Sequence, residues 1–165
     1  VTAIPASHIS DAHKLNADGR VELFELTPIG AYGTVYFKSD NSVTWQGHEY
    51  LGVPLTYSGE DRTAQGAAQQ PRLIIGQENV NLSMFKPIVN DGALDGSIIH
   101  KLEILLDDLI NNRPIYLRRP FRVRRVEGYT RSQISLQLAS FSDSLSFTMP
   151  FRQYFPPAFP AVNIG

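Results

Sequence analysis

Four histidines, two adjacent carboxylate pairs and a run of arginines are the residues of this chain with the means to do chemistry. The histidines are His8, His13, His48 and His100. A helical zinc site sets two histidines four residues apart on one face. His8 and His13 are five apart and no other ligand spacing is present, so no metal is expected and the imidazoles read as solvated or hydrogen-bonded. The paired acids are Glu60-Asp61 and Asp107-Asp108. Carboxylates act as acid and base only where a cleft shifts their pKa values; neighbours in a loop or on a helix surface are ordinarily hydrated. No G-x-S-x-G elbow, P-loop or G-x-G-x-x-G occurs. The chain has no cysteine, which removes disulfides, thiolate metal sites and a thiol nucleophile. The expectation is a protein that is not an enzyme and takes no cofactor.

The arginines are the stronger signal. Arg113, Arg118, Arg119, Arg122, Arg124, Arg125 and Arg131 stand against one acid, Glu127, in a chain of net charge −1. A near-neutral total built from opposed regions suits self-association, one copy's basic run meeting a neighbour's acidic surface. Folding of the run onto acids of its own chain fits the charge pattern equally well. Tyr116, Phe121 and Tyr129 lie among the arginines, and basic faces with aromatics bind single-stranded nucleic acid. Against that stand a pI near 6.5 and only four lysines. Guanidinium groups among aromatic rings are interface composition, so a protein surface is the favoured reading.

The elements that must carry these groups are mostly strands. The chain has 165 residues, 42% hydrophobic and 19% charged, enough for one domain with a real core. No apolar run approaches the ~20 residues that cross a bilayer, and the start of the chain does not read as a signal peptide. Ser7–Leu15 has helical spacing. Val21–Thr27, Thr34–Ser39, Val43–Trp45, His48–Tyr50, Val53–Tyr57 and Pro71–Gly76 read as strands, with Gln46-Gly47 as a hairpin tip. Ser58–Gln70 supplies no buried face and reads as a loop. Asn81–Val89 suggests a short helix. Ser97–Asn111 is ambiguous, since Ile98, Leu102, Leu105, Leu106 and Leu109 fit a helix while Ile98, His100, Leu102 and Ile104 alternate. Phe121–Glu127 and Gln133–Ser140 form a hairpin, with a bulge expected where Arg125 breaks the alternation. The tail contains Pro150, Pro156, Pro157 and Pro160 among Phe147, Phe151, Tyr154, Phe155 and Phe159, so an extended arm gripping a neighbour is expected. This division makes residues 1–145 a β-rich domain with an N-terminal helix and 146–165 the arm.

The segment Val43-Thr44-Trp45-Gln46-Gly47-His48-Glu49-Tyr50 resembles the N-terminal domain of the minor tail protein L family of phage lambda. The order of features is similar too: a helical lead-in, then Val21-Glu22-Leu23-Phe24-Glu25-Leu26, the tryptophan segment, Tyr57-Ser58-Gly59-Glu60, Arg72-Leu73-Ile74-Ile75 and a β-rich stretch ending near Phe141-Ser142-Asp143. The likeness covers roughly residues 5–145. It implies a structural component of a phage tail tip, a baseplate hub protein in the virion. Such proteins ring the DNA exit channel between the distal tail protein and the central fibre or receptor-binding hub. It also implies that Ile98–Leu106 is a strand. The iron–sulfur cluster of that family's C-terminal domain cannot be carried over to a chain without cysteine. A homo-trimer is the favoured ring, with a hexamer as the other candidate.

The expectation is therefore a mainly β fold, a twisted sheet curled into a small barrel with one or two peripheral helices. Arg118, Arg119, Arg122 and Arg124 would make subunit contacts, Phe151, Tyr154, Phe155 and Phe159 would anchor the arm, and Trp45, Gly47 and Tyr50 carry the motif. DNA would pass nearby without specific binding, because a basic wall would hold its phosphates. The alternatives are a single-stranded nucleic-acid-binding barrel and a carbohydrate-binding module using Trp45 or Tyr50 as a stacking platform.

Overall fold

A computed structural model describes residues 4–12, 19–59, 71–76, 85–130 and 133–140. The described residues form α1 (Ala6–Ala12), β1 (Arg20–Thr27), β2 (Val35–Ser39), β3 (Val43–Trp45), β4 (His48–Val53), β5 (Leu55–Ser58), β6 (Arg72–Gly76), α2 (Phe85–Asn90), β7 (Ile98–Leu105), α3 (Leu106–Ile110), β8 (Leu117–Tyr129) and β9 (Gln133–Ser140). The fold is mainly β, one large mixed sheet with short helices, as the sequence leads one to expect.

The nine strands lie in the order β3-β4-β2-β1-β7-β8-β9-β6-β5. Every pair is antiparallel except β2 with β4. The topology forces closure: β4 and β5 sit at opposite ends of the sheet, yet only Pro54 separates them in the chain. The sheet therefore curls until its ends meet. The Gly76 amide donates to the Pro54 carbonyl at 2.6 Å, so the ladder with β6 continues through that junction.

Alternation then assigns each strand residue to the inside or the outside. The interior core takes Phe24 and Leu26 from β1, Phe37 from β2, Val53 from β4, Leu73 and Ile75 from β6, and Ile99 from β7. Phe121 and Val123 come from β8, and Ile134, Leu136 and Leu138 from β9. One end of the barrel is stopped by α2 and the turn after it, which contribute Phe85, Ile88, Ala93 and Leu94. Phe37 stacks on Phe24 at 5.6 Å and meets Phe85 edge-on at 5.9 Å.

A second, smaller core lies outside the barrel wall. The β3–β4 hairpin folds over β1 and β7, and Leu23, Trp45, Tyr50, Leu102 and Ile104 pack between the layers. Gln46 and Gly47 have φ of 50° and 78°, the two positive values of the tight hairpin turn expected there. The first half of β4 pairs with β3 and its second half with β2, so one strand leaves the outer layer and enters the barrel. Gly52 stands at that change. A Cβ there would lie 1.8 Å from the Asp40 carbonyl oxygen, so only glycine lets the 40–42 turn cross the strand so closely.

The ambiguous segment 97–111 contains both of its periodicities in succession. Ile98–Leu105 is a strand paired on both sides, and Leu106–Ile110 is one helical turn. The bulge near Arg125 is present, between Val123 and Arg125, and a second follows between Val126 and Gly128. β8 also begins earlier than the sequence reading had it, because Leu117–Pro120 continues the pairing with β7.

Candidate assembly surface

Strand alternation splits the arginine run between two faces. Arg118 and Arg122 point outward from β8, whereas Arg119 points to the interior side at the barrel rim. The Arg118 guanidinium lies 3.7 Å from Glu25 and 3.2 Å from His100 Nδ1. Arg119 lies 3.4 Å from Glu103, which is also 3.4 Å from Lys101. Lys101 is buried, 2.8 Å from Glu22 and 4.3 Å above the Tyr57 ring. Arg113 sits 3.1 Å from both Asp107 and Asp108, and Arg125 lies 4.0 Å from Glu127, which Arg72 holds at 2.8 Å. Arg122 is half-buried and engaged within the chain. Arg124 occupies the bulge and is exposed.

Arg113, Arg118, Arg119 and Arg125 thus each have an acid in their own chain, one of the two outcomes that the charge pattern left open. The run is not one continuous basic ribbon. Partly exposed ion pairs contribute about 0–1 kcal/mol each, so such pairs exchange partners at little cost. Asp107-Asp108 serves as a structural ion-pair site with Arg113. Arg131, Glu60, Asp61, His13 and the arm residues Phe151, Tyr154, Phe155 and Phe159 lie outside the described residues.

The tryptophan motif is core. Trp45 is 3% exposed and Tyr50 0%. Trp45 meets Tyr116 edge-on at 5.4 Å and lies 6.3 Å from Tyr50. The Tyr50 hydroxyl donates to Glu25 at 2.9 Å, and burial, then that carboxylate, pushes its pKa upward. Both rings are covered by the chain itself, which corrects the expectation that either offers a stacking platform to a sugar. Gly47 supplies the positive φ of the hairpin tip.

Among the described residues no group of three or more metal-ligating side chains comes together. His8 is buried in α1, and His48 is exposed and stacked on Tyr36 at 4.3 Å. His100 is half-buried beside Arg118, and its pKa lies below the ordinary 6.5. Burial lowers it most, Arg118 lowers it further, and Glu25 acts in the opposite sense.

Two helices are built inside out, which the sequence reading missed. α1 buries His8 and Asp11 but leaves Ile9 50% exposed, with Ile4 before it at 58%. α3 buries Asp108 and tucks Leu109 against the outer core, while Asp107 is exposed and Leu106 is 44% and Ile110 73% exposed. Both helices stand at the barrel end opposite α2: Arg20 lies 3.8 Å from Asp11, and the Leu106 amide donates to the Gly19 carbonyl at 2.8 Å. The signal available in the sequence was the Arg113 that follows Asp108, a cation able to turn that face of α3 inward. No protein-family model matches the sequence, and no curated protein matches it.

Proposed function

We propose that this chain is a structural component of a bacteriophage tail tip, a hub protein that forms a ring around the DNA exit channel between the distal tail protein and the receptor-binding hub. The observation that carries the reading is the pair of inside-out helices. A soluble domain gains by burying aliphatic side chains and hydrating carboxylates. α1 and α3 each bury one carboxylate and leave aliphatic side chains in water at one barrel end, an arrangement that becomes favourable when another protein covers Ile4, Ile9, Leu106 and Ile110. Copies in a ring meet through unlike patches until the circle closes. The half-exposed arginines of β8, with acids that exchange readily, suit the rim of such a contact.

Native mass spectrometry of the purified chain tests the assembly, alone and mixed with the distal tail protein. Three copies are the favoured outcome and six the other, with Ile110→Glu returning the ring to monomer. Gold-labelled antibody on the phage tests the placement and should mark the tail tip. A monomer under both conditions, together with label elsewhere on the virion, overturns the proposal. Salt-sensitive retardation of single-stranded DNA, lost on Arg122→Ala with Arg124→Ala, would instead favour the nucleic-acid-binding barrel.

A further inference from the structure

On the outer face of the barrel a polar chain crosses four strands. The Tyr50 hydroxyl of β4 donates to Glu25 Oε1 of β1 at 2.9 Å. Glu25 Oε2 lies 3.7 Å from the Arg118 guanidinium of β8, whose Nη2 lies 3.2 Å from His100 Nδ1 of β7. A guanidinium has only donors. The contact with His100 therefore requires a lone pair on Nδ1, which fixes the imidazole as neutral with its proton on Nε2. A proton arriving at Nδ1 would face the guanidinium donor with another donor and set two cations side by side.

We propose that His100 is an acid-operated latch for Arg118. Neutral, it accepts from the guanidinium and holds it in the clasp. Protonated, it turns to Glu25, and Arg118 is released to solvent with its charge free for another partner. The direction follows from the groups on every side. Glu25, opposite His100 on β1, is the carboxylate near enough to take the imidazolium. Tyr50 already occupies the other oxygen of that carboxylate, and Tyr36 packs edge-on against Tyr50 at 5.3 Å without adding a charge. On β8, Pro120 stands opposite His100, and Arg122 follows as the next residue on that face, a second cation that disfavours keeping Arg118 close to an imidazolium. Arg118 has a side chain 45% exposed, so solvent is open to it, whereas Glu25 at 21% is held by its neighbours. The latch acts within one chain and does not depend on ring formation.

Side-chain NMR of the whole chain tests it. The expected result at neutral pH is a neutral His100 protonated on Nε2, with a titration midpoint below 6.5. The Arg118 Nε–H resonance should move from its engaged position to that of a free guanidinium in step with this titration. His100→Gln keeps an acceptor but removes the titration, so the Arg118 resonance should stay in place across the range. Arg118→Gln should raise the His100 midpoint, since the cation is gone and Glu25 remains. An Arg118 resonance that ignores His100, or that moves equally in His100→Gln, would refute the latch, as would a midpoint indifferent to Arg118→Gln.

Discussion

Trp45 is where packing and chemistry make opposite predictions. Its ring fills the outer core at 3% exposure, edge-on to Tyr116 and beside Tyr50. Truncating a buried aromatic of this size costs about 3–5 kcal/mol. The hairpin that it pins continues through β4 into the barrel wall, so the whole domain feels the loss. Against a domain stability of about 5–15 kcal/mol, Trp45→Ala removes from about a fifth of the margin to all of it. Trp45→Phe should behave differently. The indole N–H is buried with no acceptor among the described residues. Burying a donor unpaired costs about 1–3 kcal/mol, so removing it offsets much of the lost ring area. The phenylalanine variant should therefore lose no more than about 1.5 kcal/mol. Urea denaturation followed by far-ultraviolet circular dichroism reads both variants, since the substitution removes the chain's one tryptophan. An alanine variant within about 1 kcal/mol of the parent would refute the packing argument. A phenylalanine variant as costly as alanine would show that the indole N–H makes a contact that matters.

Two further outcomes follow from single positions. Gly52→Ala should destabilise by at least about 2 kcal/mol, because overpacking costs about 1–3 kcal/mol even where side chains yield, and here the obstruction at 1.8 Å is the Asp40 carbonyl; the same denaturation measurement checks it. His100 gives stability a pH dependence of definite sign. Its folded pKa lies below the ordinary 6.5, so the unfolded chain binds more protons between the two values. Its contribution is fully present above pH 6.5 and falls as pH drops from there to the folded midpoint. Midpoints of unfolding for the parent and His100→Gln should converge toward that lower limit, the variant having the flatter profile.

The strands were legible because their two faces differ in the sequence. Ile134, Leu136 and Leu138 alternate with Gln133, Ser135 and Gln137, and those residues line the interior and the outer surface respectively. β1 was harder, since Leu23 and Phe24 are adjacent and both buried, one in each core. At those two positions neither face is wet, so the alternation is hidden there. The segment 97–111 was ambiguous for a related reason. A doubly covered strand running directly into a helix puts apolar residues on both faces, Ile98 and Ile99 and then Leu102, Ile104 and Leu105, so both periods fit. Pairing order was beyond local reading. The parallel contact of β2 with β4 and the closure through Pro54 depend on residues far apart in the chain. The arginine run was visible as composition, but its division between two faces needed the register of β8 on β7.

That division changes how the proposed ring contact should work. A specific interface places apolar anchors at its centre and leaves charges at a wetter rim. Ile110 is the most exposed large aliphatic among the described residues, and Leu106 sits one turn before it. Arg118 is half-exposed on the outer face and Arg124 is exposed at the α2 end, so both lie outside the apolar patch and carry charge that steers an approaching copy. Rim charges act mainly on association rate and its salt dependence, whereas buried anchors act on dissociation. In the proposed ring, Arg124→Ala should slow association at low salt and flatten its salt dependence while leaving the lifetime of the ring nearly unchanged. Ile110→Ala should shorten that lifetime with little change in association rate. Mixing experiments with fluorescently labelled copies, followed by dilution, separate the two rates. If Arg124→Ala shortens the lifetime and Ile110→Ala does not, the arginines are the anchor and the inside-out helices are not the contact.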